Sequence, residues 1–111
     1  MECTVTQFKR CDVVKVKGRI DNFTAPQLAQ VLTDLQINNR FRIVCDMSEV
    51  DFLSSAGWWT LIRAQKTSRR WHRGEVVLVG LKEPIRDSMK LVGIGPYFKQ
   101  FDDVAAAVGS F

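Results

Sequence analysis

Long hydrophobic runs are missing from this chain. The longest apolar stretches are only a handful of residues, as at Val76 to Val79, and spanning a bilayer takes roughly 20, so membrane insertion is not expected. The cysteines Cys3, Cys11 and Cys45 are odd in number and form no CxxC pair, which removes the usual grounds for a zinc site or a disulfide framework. Cys45 lies in an apolar segment and is expected to behave as a small buried hydrophobe. The single histidine, His72, has no ligand partners at useful spacing and is expected on the surface. There is no P-loop, dinucleotide fingerprint or metal constellation. Ser55 sits in Leu-Ser-Ser-Ala-Gly rather than in a G-x-S-x-G elbow. The expectation is a non-enzymatic chain with no cofactor. Repeats, low-complexity stretches and Pro/Gly-rich linkers are also missing, so the 111 residues are expected to form one domain over 1–111. Met1-Glu2-Cys3-Thr4 does not show the basic-then-apolar pattern of a signal peptide, and a cytoplasmic location is expected.

The hydrophobic fraction of 46% suffices for an ordinary core. Much of the net charge of +4 falls in Lys66, Arg69, Arg70 and Arg73, where cations complement the negative end of a helix. No recognition-helix pattern or basic arm accompanies them, so direct nucleic-acid binding is not expected.

Hydrophobic periodicity predicts short strands over Val5 to Phe8 and Val13 to Val16, with the chain leaving the sheet at Gly18 to Asn22. A helix is predicted from Thr24, where Thr24-Ala25-Pro26-Gln27 has capping-box form. Ala25, Leu28, Val31, Leu32 and Leu35 share its apolar face, and Asn38-Asn39 ends it. A buried strand is predicted from Phe41 to Met47, then a helix from about Ala56 to Arg70, closed by His72-Arg73-Gly74. Glu75 to Val79 reads as a strand. Pro84 opens a third helix with Ile85, Met89 and Val92 on one side, Tyr97 to Phe101 as a short edge segment, and Asp102-Asp103 ahead of a last helix over Val104 to Val108.

The expected fold is α/β, in the order β-β-α-β-α-β-α-(β)-α. An N-terminal hairpin and then parallel strands make a mixed sheet with about four helices. Loops at the carboxyl ends of such strands form the functional rim. Two stand out there, Asp21-Asn22-Phe23-Thr24 and Asp51 to Gly57. The second brings serines to a strand–helix junction, where a hydroxyl serves as a helix cap or as a place where phosphate is electrostatically welcome.

Asp46-Met47-Ser48-Glu49-Val50-Asp51-Phe52-Leu53-Ser54-Ser55-Ala56-Gly57, with Gly18-Arg19-Ile20-Asp21 and Thr24-Ala25, resembles the STAS domain family, specifically its bacterial anti-sigma factor antagonists. The resemblance covers nearly the whole chain and implies a STAS-like fold. It also implies a partner, an anti-sigma factor that is often a Ser/Thr protein kinase, and a phosphatase that resets the domain. Ser55 falls at the family's phosphorylated serine. Ser54 replaces the family aspartate and is an alternative acceptor. Ala56 and Trp59 are further departures from the pattern. Asp21 and Asn22 are candidate partner contacts on the neighbouring loop, with turn capping as the plainer role for Asp21. Trp58 and Trp59 are adjacent, so one is expected to pack on the sheet and the other, Trp59, to face a partner or a second copy. A monomer or weak homodimer is expected. The alternative is a STAS scaffold that is never phosphorylated, within a signalling or membrane-transport complex.

Overall fold

In the computed structural model, which describes residues 1–111, five strands lie side by side in chain order: β1 (Glu2–Gln7), β2 (Asp12–Ile20), β3 (Ile43–Leu53), β4 (Val76–Val79) and β5 (Gln100–Phe101). β1 and β2 pair antiparallel, and every later pairing is parallel. The helices are α1 (Ala25–Ile37), α2 (Ser55–Arg69), α3 (Glu83–Leu91) and α4 (Val104–Gly109). This is the mixed α/β order that the periodicity predicted.

Side chains alternate across a strand, and the core follows. Val14, Val16, Cys45, Met47, Val76 and Leu78 pack against α1, α2 and α3 through Leu28, Leu32, Leu61, Ile85 and Met89. Val13, Val44, Val77 and Val79 face the other way, onto Ala107 of α4. Two buried glutamines add direction to this apolar contact. Gln36 Nε2 donates to the Ala64 carbonyl and to Ser68 Oγ, both at 2.9 Å, and ties α1 to α2. Gln65 ties α2 to the start of β4 and to Tyr97. Cys45 is buried, as its apolar setting implied, and burial pushes its thiol up to about 12. His72 is on the surface.

Several boundaries differ from the sequence reading. β1 starts at Glu2, and β3 starts at Ile43, two residues after Phe41. The main correction concerns length: β3 continues past Met47 to Leu53, and β2 continues through Gly18 to Ile20 instead of leaving the sheet. The two extensions pair with each other, Lys17 with Glu49, Gly18 with Val50, Arg19 with Phe52 and Ile20 with Leu53. Register shifts between Lys15 and Lys17 and between Gly18 and Arg19 break the period-2 pattern, as bulges do. Gly18, at φ +95°, takes a backbone conformation that other residues rarely adopt. The segment's polarity is cross-strand pairing: Glu49 Oε2 lies 2.9 Å from Lys15 Nζ and 3.8 Å from Lys17 Nζ. Val92, expected on the apolar side of α3, is instead exposed just past the helix end at Leu91.

Candidate functional site

The longer strands deliver the two loops to one point. Ile20 and Leu53 are register partners at the ends of β2 and β3, and the Ser54 N–H donates to the Ile20 carbonyl at 2.9 Å. Asp21 and Ser54 therefore begin neighbouring loops on the carboxyl rim of the sheet.

Ser54 has extended backbone (φ −80°, ψ 174°), and its Oγ accepts from the Gly57 N–H at 3.3 Å. It is the N-cap of α2, so the capping role open to Ser55 belongs to its neighbour. Ser55 takes the first helical position and caps no N–H of the helix. It is exposed, and its hydroxyl makes no hydrogen bond within the chain. The N–H groups of Ser55 and Ala56 have no acceptor in the chain either. A hydroxyl thus stands beside two free amide donors at the positive end of a 15-residue helix. Gly57 makes this approach possible. A Cβ there would collide with Leu53 Cδ1 and lie 2.9 Å from Ile20 Cγ2, so the helix start sits against the strand ends. Removing the cap with Ser54→Ala is expected to cost about 1 kcal/mol and to lower the melting temperature by about 4 °C. Thermal unfolding followed by circular dichroism checks this.

The neighbouring loop is a closed hydrogen-bonded unit. Asp21 Oδ1 accepts from the N–H groups of Phe23 at 2.9 Å and Thr24 at 3.0 Å. Thr24 Oγ1 accepts from the Asp21 N–H and donates to the Arg19 carbonyl, both at 2.8 Å. This reciprocal pair replaces the expected Thr24–Gln27 box. Thr24 does precede α1, but its backbone is helical and its side chain caps no N–H of α1. The backbone hydrogen bond from Thr24, seconded by that from Phe23 and by the Arg19 charge, holds the Asp21 carboxyl below its ordinary range. Asn22 is exposed beside it.

Aromatic residues surround this polar centre, and of these only the tryptophans stand out in the sequence. Phe23 is 92% exposed, held out on the loop that Asp21 closes. Phe52 is partly exposed, with the Arg19 guanidinium 4.2 Å above its ring. Phe23, Phe52, Asp21, Asn22 and Ser54 line a shallow cleft of about 250 Å³. The available signal was an aromatic inside an otherwise polar Asp-Asn-Phe-Thr turn. The tryptophans divide as expected. Trp58 is buried, 6.5 Å from Phe98 between ring centroids, and its Nε1 donates to Ser88 Oγ at 2.9 Å. Trp59 is 55% exposed and lines a groove of about 560 Å³ between α1 and α2, with Asn22 and Ala56 at the same cleft. Ser55, Ser54, Asp21, Asn22 and Trp59 thus share one rim.

A domain model described as STAS domain matches residues 3–107. An anti-sigma-B factor antagonist of Listeria monocytogenes serovar 1/2a is 29% identical over 79 residues, 71% of this chain and 68% of the relative. The crystal structure of an anti-sigma factor antagonist from Mycobacterium paratuberculosis superposes with a TM-score of 0.87 at 25% identity, covering 98% of this chain and 92% of that one. Unphosphorylated SpoIIAA, an anti-sigma factor antagonist, shares the fold at a TM-score of 0.77 and 13% identity, covering 98% and 96% of the two chains. No helix is long and apolar enough to cross a membrane.

Proposed function

The chain belongs to the STAS domain family, and on that premise we propose that it is a cytoplasmic anti-sigma factor antagonist that works by binding. It captures an anti-sigma factor with Ser/Thr kinase activity, which frees the sigma factor for transcription. It is released when the kinase phosphorylates Ser55, and a phosphatase resets it. The observation that carries this reading is the exposed, unbonded Ser55 hydroxyl at the start of α2, flanked by two free amides.

The chemistry belongs to the partner. Ser55 Oγ attacks the terminal phosphorus of the kinase's ATP, its proton passes to a base on the kinase, and ADP leaves. Serine and aspartate both cap helices well, so Ser54 preserves the local structure that the family aspartate provides while withdrawing a carboxylate. The base must then come from the kinase. Ser54 itself is a poorer acceptor, being half-buried with its oxygen turned toward the Gly57 N–H. The new phosphate carries about −1.5 to −2 charges at neutral pH and meets the amides of Ser55 and Ala56, so the domain keeps its fold. Repulsion and crowding arise only against the docked partner.

Asp21, Asn22, Phe23 and Trp59 are the proposed docking contacts. Exposed tryptophan beside a groove suits an interface anchor, and truncation of such an anchor costs about 2 kcal/mol or more. Trp59→Ala is expected to weaken partner affinity roughly 30-fold without moving the melting temperature, as titration calorimetry and a thermal melt would show. A mixture of the domain and its partner kinase tests the cycle. The complex should persist with ADP and dissociate on adding ATP, whereas Ser55→Ala should stay bound under both conditions. Release of Ser55→Ala by ATP would argue against the reading. Ser54 in place of the family aspartate favours a second reading, an unphosphorylated scaffold, for which ATP would change nothing in the wild type.

A further inference from the structure

We propose that the pole of the sheet opposite Ser55 binds a compact ligand carrying two or more phosphate groups. This inference does not rest on the switch. The segments entering β2, β3 and β4 gather at that pole, and a cleft of about 310 Å³ opens between them, lined by Lys9, Arg10, Arg40, Arg42 and Arg73 with no carboxylate on its wall. Asp12 lies beneath, buried and bound to Arg40 Nε at 2.6 Å. Five cations against that one carboxylate leave a surplus of four, equal to the net charge of the whole chain, +4. The rest of the molecule is balanced, so its positive field is concentrated at this cleft.

Two of the guanidiniums are already oriented. Arg40 is held through Nε by Asp12 and through Nη2 by the carbonyls of Phe8 and Cys11, at 2.6 and 3.2 Å. Arg73 is held through Nε and Nη2 by the carbonyls of Arg70 and Thr67, at 3.0 and 3.3 Å, and lies 3.9 Å over the Phe41 ring. Arginine carries five N–H donors, and these contacts leave Nη1 of both residues unused. Lys9, Arg10 and Arg42 are exposed and make no ion pair or side-chain hydrogen bond. Fixed forks with free N–H groups, ringed by mobile cations, suit phosphate oxygens and keep the ordering cost low. The small volume favours a compact polyphosphate group over an extended strand.

Calorimetry on the full chain at low ionic strength tests the assignment, with tripolyphosphate as the soluble probe. Vesicles bearing a multiply phosphorylated lipid headgroup, and uncharged vesicles, separate a free ligand from a headgroup. Saturable binding of either phosphorylated probe supports the site, provided that Arg42→Gln and Arg73→Gln each weaken it about tenfold or more and Lys90→Gln does not. Arg42 makes no contact that folding needs, so its variant should melt like the wild type. The proposal is overturned if neither probe binds, if Lys90→Gln weakens binding equally, or if a single-stranded oligonucleotide binds through the same arginines more tightly than tripolyphosphate.

Discussion

Ser55→Asp is expected to lower affinity for the anti-sigma partner about 100-fold while leaving the fold as stable as the wild type. The two halves of that result have one cause. A carboxylate at the first position of α2 sits at the positive end of the helix beside free amides, where negative charge is mildly stabilising, by about 0.3–1 kcal/mol. The melting temperature should hold or rise slightly. On the partner side, the same charge lands inside a contact rim bordered by Asp21, Phe23 and Trp59 and must be desolvated on docking. True phosphorylation adds more charge and bulk. Its cost of roughly 3–4 kcal/mol corresponds to two to three powers of ten in affinity. Ser55→Ala should bind within a few-fold of the wild type, because the serine hydroxyl makes no bond that alanine would lose. Titration calorimetry with the purified partner reads all three forms. Equal affinity for Ser55→Asp and Ser55→Ala would count against docking at this rim.

Gln65→Leu is expected to produce the largest loss of stability, about 3 kcal/mol, or a fall of roughly 12 °C in melting temperature. Gln65 is fully buried. Its Oε1 accepts from the Val76 N–H at 2.6 Å, and its Nε2 donates to the carbonyls of Val76 at 3.0 Å and Tyr97 at 2.9 Å. Leucine fills a similar volume and replaces none of these bonds, so the loss isolates hydrogen bonding from packing. The exchange would strand the Val76 N–H and the carbonyls of Val76 and Tyr97, which Gln65 satisfies in the wild type. Each orphaned buried group costs about 1–3 kcal/mol. A thermal melt that moved by less than about 2 °C would contradict this account of how α2 is tied to β4.

Much of the fold was legible because strong periodicities survive in single segments. The apolar stripe of α1, the β-branched run of β4 and the acids before α4 each indicated the right element. The far half of β3 was not legible. The strand reads as ending at Met47, and Ser48 to Phe52 joins it only once Glu49 is seen paired with Lys15 and Lys17 across the sheet, a non-local contact that no window of sequence carries. The same holds for the cap. Ser54 and Ser55 are chemically alike, and only the extended backbone at Ser54 assigns it the capping role. Asp21 shows the converse. Its turn-capping role is readable from residue type, but Thr24, its partner in that turn, reads equally well as the start of the helix. Of the basic pole, only Arg73 belonged to a cluster visible in the sequence. Arg69, Arg70 and Arg73 stand together in sequence, whereas Lys9, Arg10, Arg40 and Arg42 reach Arg73 only through the topology of the sheet.

The proposed switch depends on which hydroxyl accepts the phosphoryl group. Site mapping by fragmentation mass spectrometry, after wild-type protein has reacted with its partner kinase and ATP, tests this most directly. One phosphate per chain, located on Ser55 and absent from Ser55→Ala, is the expected result. Phosphate on Ser54, or none on either serine while the complex still forms and dissociates, would contradict it.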